Sequence, residues 1–251
     1  MRRGFQFYSQ MLKNDWRFFM DIDEKNIEII AKEIISSIRS KEMDSLKNDT
    51  FDGNQIKSNK INNKPPSDTS NTINSIVAEI QNSLLGINKE KIQELIKLII
   101  NNKRIFIAGF GRSGLICKAF AMRLMQIGFT VFIIGETITP AIKSDDLLIS
   151  VSGSGRTTNS VNIIKKAKDF GAYKFLITSN DDSPMSEIAD SFILIPAPTK
   201  FQSNIDETGS QLLGSLFEQS TFILFECIID VLSKTLDLER DEIMKRHANL
   251  E

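Results

Sequence analysis

Residues 146–157 run Asp146-Leu-Leu-Ile-Ser-Val-Ser-Gly-Ser-Gly-Arg-Thr157, and their reading decides the fold. Leu147 to Val151 is a short apolar run with the length and composition of a buried parallel strand. It breaks into Ser152-Gly153-Ser154-Gly155, and a helical pattern opens at Thr157. A strand that ends in small residues and feeds a helix suits an anion. Glycines let the backbone approach the ligand, the first helical turn has N–H groups without partners, and hydroxyls add donors. No acidic residue falls between Ser152 and Asn159. The stretch therefore predicts a phosphate site at Ser152, Gly153, Ser154, Gly155, Arg156 and Thr157. An ordinary strand–turn–helix connection, with Ser and Thr as caps, uses the same residues and stands as the alternative.

Around this stretch the chain alternates strands and helices. Upstream, helical spacing covers 72–86 and 89–101, followed by a strand at Arg104–Ala108, a helix to about Ile127 and a strand at Thr130–Ile134. Downstream come a helix at Thr157–Phe170, a strand at Lys174–Thr178, a short helix near Pro184–Ala189 and a strand at Ser191–Ile195. A long helical pattern over Asp206–Leu236 and a last helix at Glu239–Arg246 complete it. Five short strands between helices predict an α/β fold, a five-stranded parallel sheet with helices on both faces. Right-handed crossovers then bring the loops after the first three strands to the carboxyl edge, where such sheets bind ligands.

Residues 1–70 differ in character. Ile27, Ile30, Ile34 and Ile38 give 23–39 one apolar helical stripe, and 44–71 dissolve into Asn, Lys, Ser and Asp, ending in Lys64-Pro65-Pro66-Ser67. That composition buries too little apolar surface to offset ordering entropy. The expectation is a mostly flexible N-terminal extension, 1–70, before one domain at 71–251.

With 31 basic and 32 acidic residues in 251, the net charge of −1 leaves no footprint for nucleic acid or an anionic membrane. Cys117 and Cys227 sit in apolar helical patterns and read as buried, reduced thiols of a cytoplasmic protein. One histidine and two isolated cysteines offer no usual zinc set, and no apolar run approaches the ~18 residues of a membrane span. The expectation is no metal, no cofactor and no membrane.

A second glycine loop, Gly109-Phe-Gly111-Arg112-Ser113-Gly114, follows the first strand and opens a helix. Its G-x-G-x-x-G spacing matches a dinucleotide fingerprint, and Glu136 after the next strand stands where a ribose-binding acid would. Two small-residue loops facing one switch point suit a small phosphorylated ligand better. Ser113 then adds a donor to the phosphate loop. Arg112 and Arg156 flank the loops, each able to neutralise phosphate or a developing oxyanion.

These motifs carry a resemblance. Gly-Phe-Gly-Arg-Ser-Gly at 109–114, with Ala121-Met-Arg-Leu124, resembles the first motif of the sugar isomerase (SIS) domain family. Gly135-Glu-Thr-Ile-Thr-Pro140, Ser152-Gly-Ser-Gly-Arg-Thr157 and Lys245-Arg-His-Ala-Asn-Leu250 narrow it to the branch that interconverts a hex-3-ulose 6-phosphate and fructose 6-phosphate. The resemblance covers about 72–251 and assigns nothing to 1–70. It implies a three-layer αβα, flavodoxin-like domain and a sugar phosphate held by Ser113 and 152–157. It further implies a place in the ribulose monophosphate pathway, a homo-oligomer, typically a tetramer, and pairing with the synthase that makes the hexulose phosphate. Where the branch commonly shows Met-Gly-Thr-x-Phe-Glu, this chain has Leu213-Gly-Ser-Leu-Phe-Glu218, keeping the hydroxyl.

Moving a carbonyl between C3 and C2 needs one group that takes a proton from one carbon and returns it to the other. The enediolate between them needs donors or a cation on its oxygens. Glu218, between Leu212, Leu213, Leu216, Phe217 and Phe222, Ile223, is the candidate base, and burial among these flanks would raise its pKa; by residue type alone an exposed helix-surface glutamate stands slightly ahead, and the resemblance reverses that order. The resemblance gives the matching glutamate the proton-carrying role. His247 is the lone histidine and would read as an exposed bystander; the resemblance implies that it completes a neighbouring copy's site, where it would serve ring opening. Competing expectations are a non-catalytic sugar-phosphate regulator, an arabinose 5-phosphate isomerase and a dinucleotide binder. The first is disfavoured because no recognition surface for DNA precedes 72, and the second because its members usually carry further domains beyond the position of Glu251.

Overall fold

A computed structural model of the chain describes residues 68–198, 211, 212 and 214–250. The striped segment 23–39, nearly all of the 44–71 linker and residues 206–210 of the long helical pattern lie outside the described residues.

The elements run α1 (Thr69–Leu85), α2 (Lys89–Asn101), β1 (Ile105–Gly109), α3 (Arg112–Gln126), β2 (Val131–Ile133), β3 (Leu147–Val151), α4 (Thr158–Asp169), β4 (Tyr173–Thr178), β5 (Ser191–Leu194), α5 (Ser215–Thr235) and α6 (Arg240–Lys245). All five strands are parallel, in the order β2-β1-β3-β4-β5. β3, the run at the centre of the sequence reading, is buried along its whole length and is the central strand of the sheet. Its alternation sorts the two faces. Ile105, Ile107, Leu147, Ile149, Phe175 and Ile177 join one core with side chains of α2, α3 and α5, including Leu95, Phe120 and Phe225. Phe106, Ala108, Leu148 and Leu176 join a smaller core under α4, with Ile164, Ala167 and Met185. Helices cover both faces as expected, unevenly. Stacked Phe120 and Phe225 rings, 3.9 Å between centroids, tie α3 to α5.

Two local expectations change. The helix expected near Pro184–Ala189 is a run of turns. The Ser183 N–H donates to Ser186 Oγ (2.9 Å), and Ser186 Oγ donates to Asp181 O (2.6 Å), so serine hydroxyls take bonds that a helix would need. The long C-terminal helical pattern is broken at residues 211, 212 and 214, and α5 runs from Ser215 after Gly214 in the left-handed region (φ 81°). That start fixes which turn of α5 faces the sheet edge.

Among the described residues no helix is long and apolar enough to cross a membrane.

Candidate active site

The strand order turns at β1: β2 lies to one side of it, while β3, β4 and β5 extend to the other. The loops leaving β1 and β3 therefore diverge at their carboxyl ends and open a crevice. A cavity of about 230 Å³ occupies it, lined by Gly111, Arg112 and Ser113 from the first loop, Ser152, Gly153, Ser154, Thr157 and Ser160 from the second, and Gly214, Phe217 and Glu218 from the start of α5.

The loop after β3 has its carbonyls turned outward. Ser152 O accepts from the Gly155 N–H at 3.2 Å, Gly153 O from the Ser179 N–H at 3.0 Å, Ser154 O from Asn180 Nδ2 at 3.1 Å, and Gly155 O from the Met185 N–H at 3.3 Å. Among the described residues the N–H groups of Gly153 and Ser154 donate to nothing. Neither do those of the first turn of α4, whose N-cap Thr157 makes no side-chain capping bond. A concave set of unpaired N–H groups beside a helix N-terminus is an anion cradle. The hydroxyls of Ser113, Ser152, Thr157 and Ser160 likewise have no hydrogen-bond partner among the described residues. Gly153 is held by contact: a Cβ there would lie 3.0 Å from the Phe217 ring. The phosphate-type loop thus rests on the helix that carries Glu218.

Glu218 sits in the first turn of α5, 5% exposed, and its Oε2 pairs with Nε of Arg112. Arg112 heads α3, and its two terminal amino groups donate to nothing among the described residues. Among the described residues these are the only two ionisable ones lining the cavity. A buried carboxylate, a guanidinium with spare donors and a row of free N–H and O–H groups face one space. That arrangement can bind an anion at one end and move a proton at the other.

Of the residues marked in the sequence, Gly111, Arg112, Ser113, Ser152, Gly153, Ser154, Thr157 and Glu218 come together at the cavity. Gly155 and Arg156 do not line it. Gly155 takes φ 62° where a Cβ would collide with Ser183, and Arg156 Nη2 donates to Asp182 O at 2.6 Å, bracing the loop from outside. Glu136 pairs with Lys118 at 2.7 Å, away from the cavity. His247 is exposed beyond α6, its Nδ1 3.1 Å from Ala248 O. The neighbouring Arg246 guanidinium lies over Gly128, past the far end of α3 from the cavity, a separation of about 22 Å along a 15-residue helix. Phe110, Val151, Ser160, Pro198, Gly214 and Phe217 also line the cavity and were not marked in the sequence. Ser160, three positions after Thr157, faces the same side of α4, a signal that was available.

The SIS domain family model matches residues 98–215, a span holding both loops. The chain belongs to the SIS domain family. Curated relatives named 3-hexulose-6-phosphate isomerase include that of Mycobacterium gastri, 39% identical over 184 residues (73% of this chain, 92% of the relative). That of Bacillus subtilis is 38% identical over 183 residues (73% and 99%). A solved Methanococcus jannaschii protein, for which a function of 3-hexulose-6-phosphate isomerase was inferred, is 36% identical, covering 72% of this chain and 99% of that one, with a TM-score of 0.62.

Proposed function

We propose that the chain is an isomerase interconverting D-arabino-hex-3-ulose 6-phosphate and D-fructose 6-phosphate through an enediolate. The observation that carries this reading is Glu218: a carboxylate 5% exposed, facing across one cavity a loop of unpaired N–H and O–H donors. The phosphate sits in the loop from Ser152 to Thr157, with Ser113 reaching it from the neighbouring loop. The carbon chain then runs toward α5. Glu218 takes the proton from C2 of the hexulose phosphate and returns one to C3, while the hydroxyl proton passes from O2 to O3, so the carbonyl moves from C3 to C2. Arg112, with two free donor nitrogens beside that carboxylate, receives the negative charge that gathers on the enediolate oxygens. The names of the relatives from Mycobacterium gastri and Bacillus subtilis support the same substrate pair.

The enzyme in this reading is a homo-oligomer, a tetramer, in the cytoplasm, and His247 of one copy serves the cavity of another. The separation of His247 from its own cavity supports a site completed by a neighbour. It works in the ribulose monophosphate pathway, beside the synthase that forms the hexulose phosphate. The test is a coupled assay: hexulose 6-phosphate is made in situ and fructose 6-phosphate is followed with the protein present and absent. Appearance of fructose 6-phosphate only with the protein is expected; none at any protein concentration overturns the reading.

A further inference from the structure

Ser160 is the third residue of α4, 5% exposed, and its hydroxyl opens on the cavity without a hydrogen-bond partner among the described residues. A helix serine has a standard internal option, a bond back to the carbonyl four residues earlier. This chain uses that option elsewhere: Thr221 Oγ1 donates to Phe217 O at 2.7 Å and Ser233 Oγ to Ile229 O at 2.8 Å. Ser83 and Ser220 also lack partners, but their hydroxyls are sealed from solvent, whereas that of Ser160 faces the space where a ligand enters.

The start of α4 shows the same vacancy. α1 and α2 are capped by their own side chains, Asp68 accepting from the Ser70 N–H at 2.9 Å and Asn88 from the Lys91 N–H at 3.2 Å. α4 begins with Thr157, a good capping residue, yet no such bond forms. The third helical position is where a glutamate or glutamine would reach back to the N-cap N–H and complete a capping box. Ser160 is too short for that reach. Two hydroxyls one turn apart and the unpaired first-turn N–H groups are left pointing at one space.

We propose that Ser160 is a ligand of the substrate's phosphate group and that this phosphate is the N-cap of α4. The proposal rests on the reading that a phosphorylated sugar occupies the cavity. It adds a residue outside the Ser152–Thr157 loop and makes phosphate binding and the folding stability of α4 one linked quantity. A glutamate at this position would cap the helix with its own carboxylate and occupy the anion's place, stabilising α4 at the expense of binding.

The test uses the full chain and its Ser160→Ala, Ser160→Thr and Ser160→Glu variants, with fructose 6-phosphate and inorganic phosphate as probes. Ser160→Ala should raise the dissociation constants for both probes and the KM by about ten- to a hundredfold, with kcat within about twofold, because a lost bond to a charged group is felt in binding. Ser160→Thr, which keeps the hydroxyl, should restore most of the affinity. Ser160→Glu should melt at a higher temperature than the wild type without ligand and show no further shift with either probe. If Ser160→Glu does not fold, the alanine and threonine pair decides alone. Constants for Ser160→Ala within twofold of wild type, in a wild type that binds and turns over, overturn the role of Ser160 and leave the isomerase reading standing. A wild type that neither binds fructose 6-phosphate nor isomerises it overturns both.

Discussion

Arg112 and Glu218 are separated by 106 positions in the chain, yet they form an ion pair across the cavity. One heads the helix after the first strand and the other the first turn of the helix after the last strand, so only the closed sheet brings them together. The pair also shows how a carboxylate can be buried at all: removing charge from water is costly unless a partner compensates.

Glu218→Gln keeps the shape and hydrogen-bonding capacity of the side chain and removes the proton carrier. Turnover should fall by about 10²–10⁴-fold. The far-ultraviolet circular dichroism and the dissociation constant for fructose 6-phosphate should stay close to wild type. Wild-type-like turnover would remove Glu218 from the mechanism.

Gly153→Ala puts a methyl group 3.0 Å from the Phe217 ring, next to Glu218 in the chain. The ring or the loop must shift, at about 1–3 kcal/mol of stability by the usual cost of overpacking. Because the displaced turn holds the base, kcat should fall together with the melting temperature. A variant that melts lower with unchanged kcat would show that the contact serves stability alone.

Thiol chemistry separates the two cysteines. Burial pushes the Cys117 thiol up to about 12, while Cys227, expected from its apolar pattern to be buried, lies on the exposed side of α5. In the native protein a thiol reagent at pH 8 should modify one cysteine per chain, and two in denaturant. The unfolded thiol ionises near 8.5 and the folded one not until about 12, so the unfolded state loses its proton first. Stability is therefore intact below the unfolded value and declines as pH rises toward about 12. A Cys117→Ala variant should show a shallower alkaline decline, measured by urea midpoints from pH 8 to 11.

Removing the N-terminal extension should depend on where the cut falls. Asp68 caps α1 through the Ser70 N–H and its carbonyl accepts from the Thr72 N–H at 3.2 Å. A chain beginning at Pro66 should keep fold and turnover, whereas one beginning at Ser70 should be less stable by about 1 kcal/mol. Equal melting temperatures for the two would show that the cap contributes nothing, and loss of solubility in both would show that 1–65 is integral.

For His247 the expected result is complementation. An inactive His247→Ala variant mixed with inactive Glu218→Gln, under subunit exchange, should recover part of the activity, because one cavity in a mixed assembly can receive both groups. No recovery by exchange or co-expression would end the shared-site reading, and a fully active His247→Ala enzyme would dismiss the histidine.

Much of this was legible because it is local. Leu147–Val151 is apolar without interruption because both sides of the central strand are covered, and the small residues after it advertise the loop. The burial of Glu218 was only half legible: its apolar neighbours allowed it, the residue type spoke against it, and the resemblance decided it. What was not legible depends on partners distant in sequence. Arg156 looked like a ligand because it adjoins the loop, and only the fold shows Asp182 holding it outside the cavity. The turns at 184–189 escaped because Ser183 and Ser186 satisfy the backbone with side chains. Ser160 carried one signal, its spacing of three from Thr157, and that spacing alone does not set it apart from other helix serines until its surroundings are known.

The outward bonds of the 152–157 loop have a kinetic consequence. Its carbonyls are anchored to the backbone of Gly155, Ser179 and Met185 and to the side chain of Asn180, so bonds from within the chain fix the shape of the loop. A ligand arriving there has no segment to order, and one leaving has none to release. Affinity at such a loop draws on its donors without an ordering cost to offset, which favours quick exchange of substrate for product. An isomerase whose two ligands carry the same phosphate gains from this, since the group that anchors the incoming sugar must also let the outgoing one go.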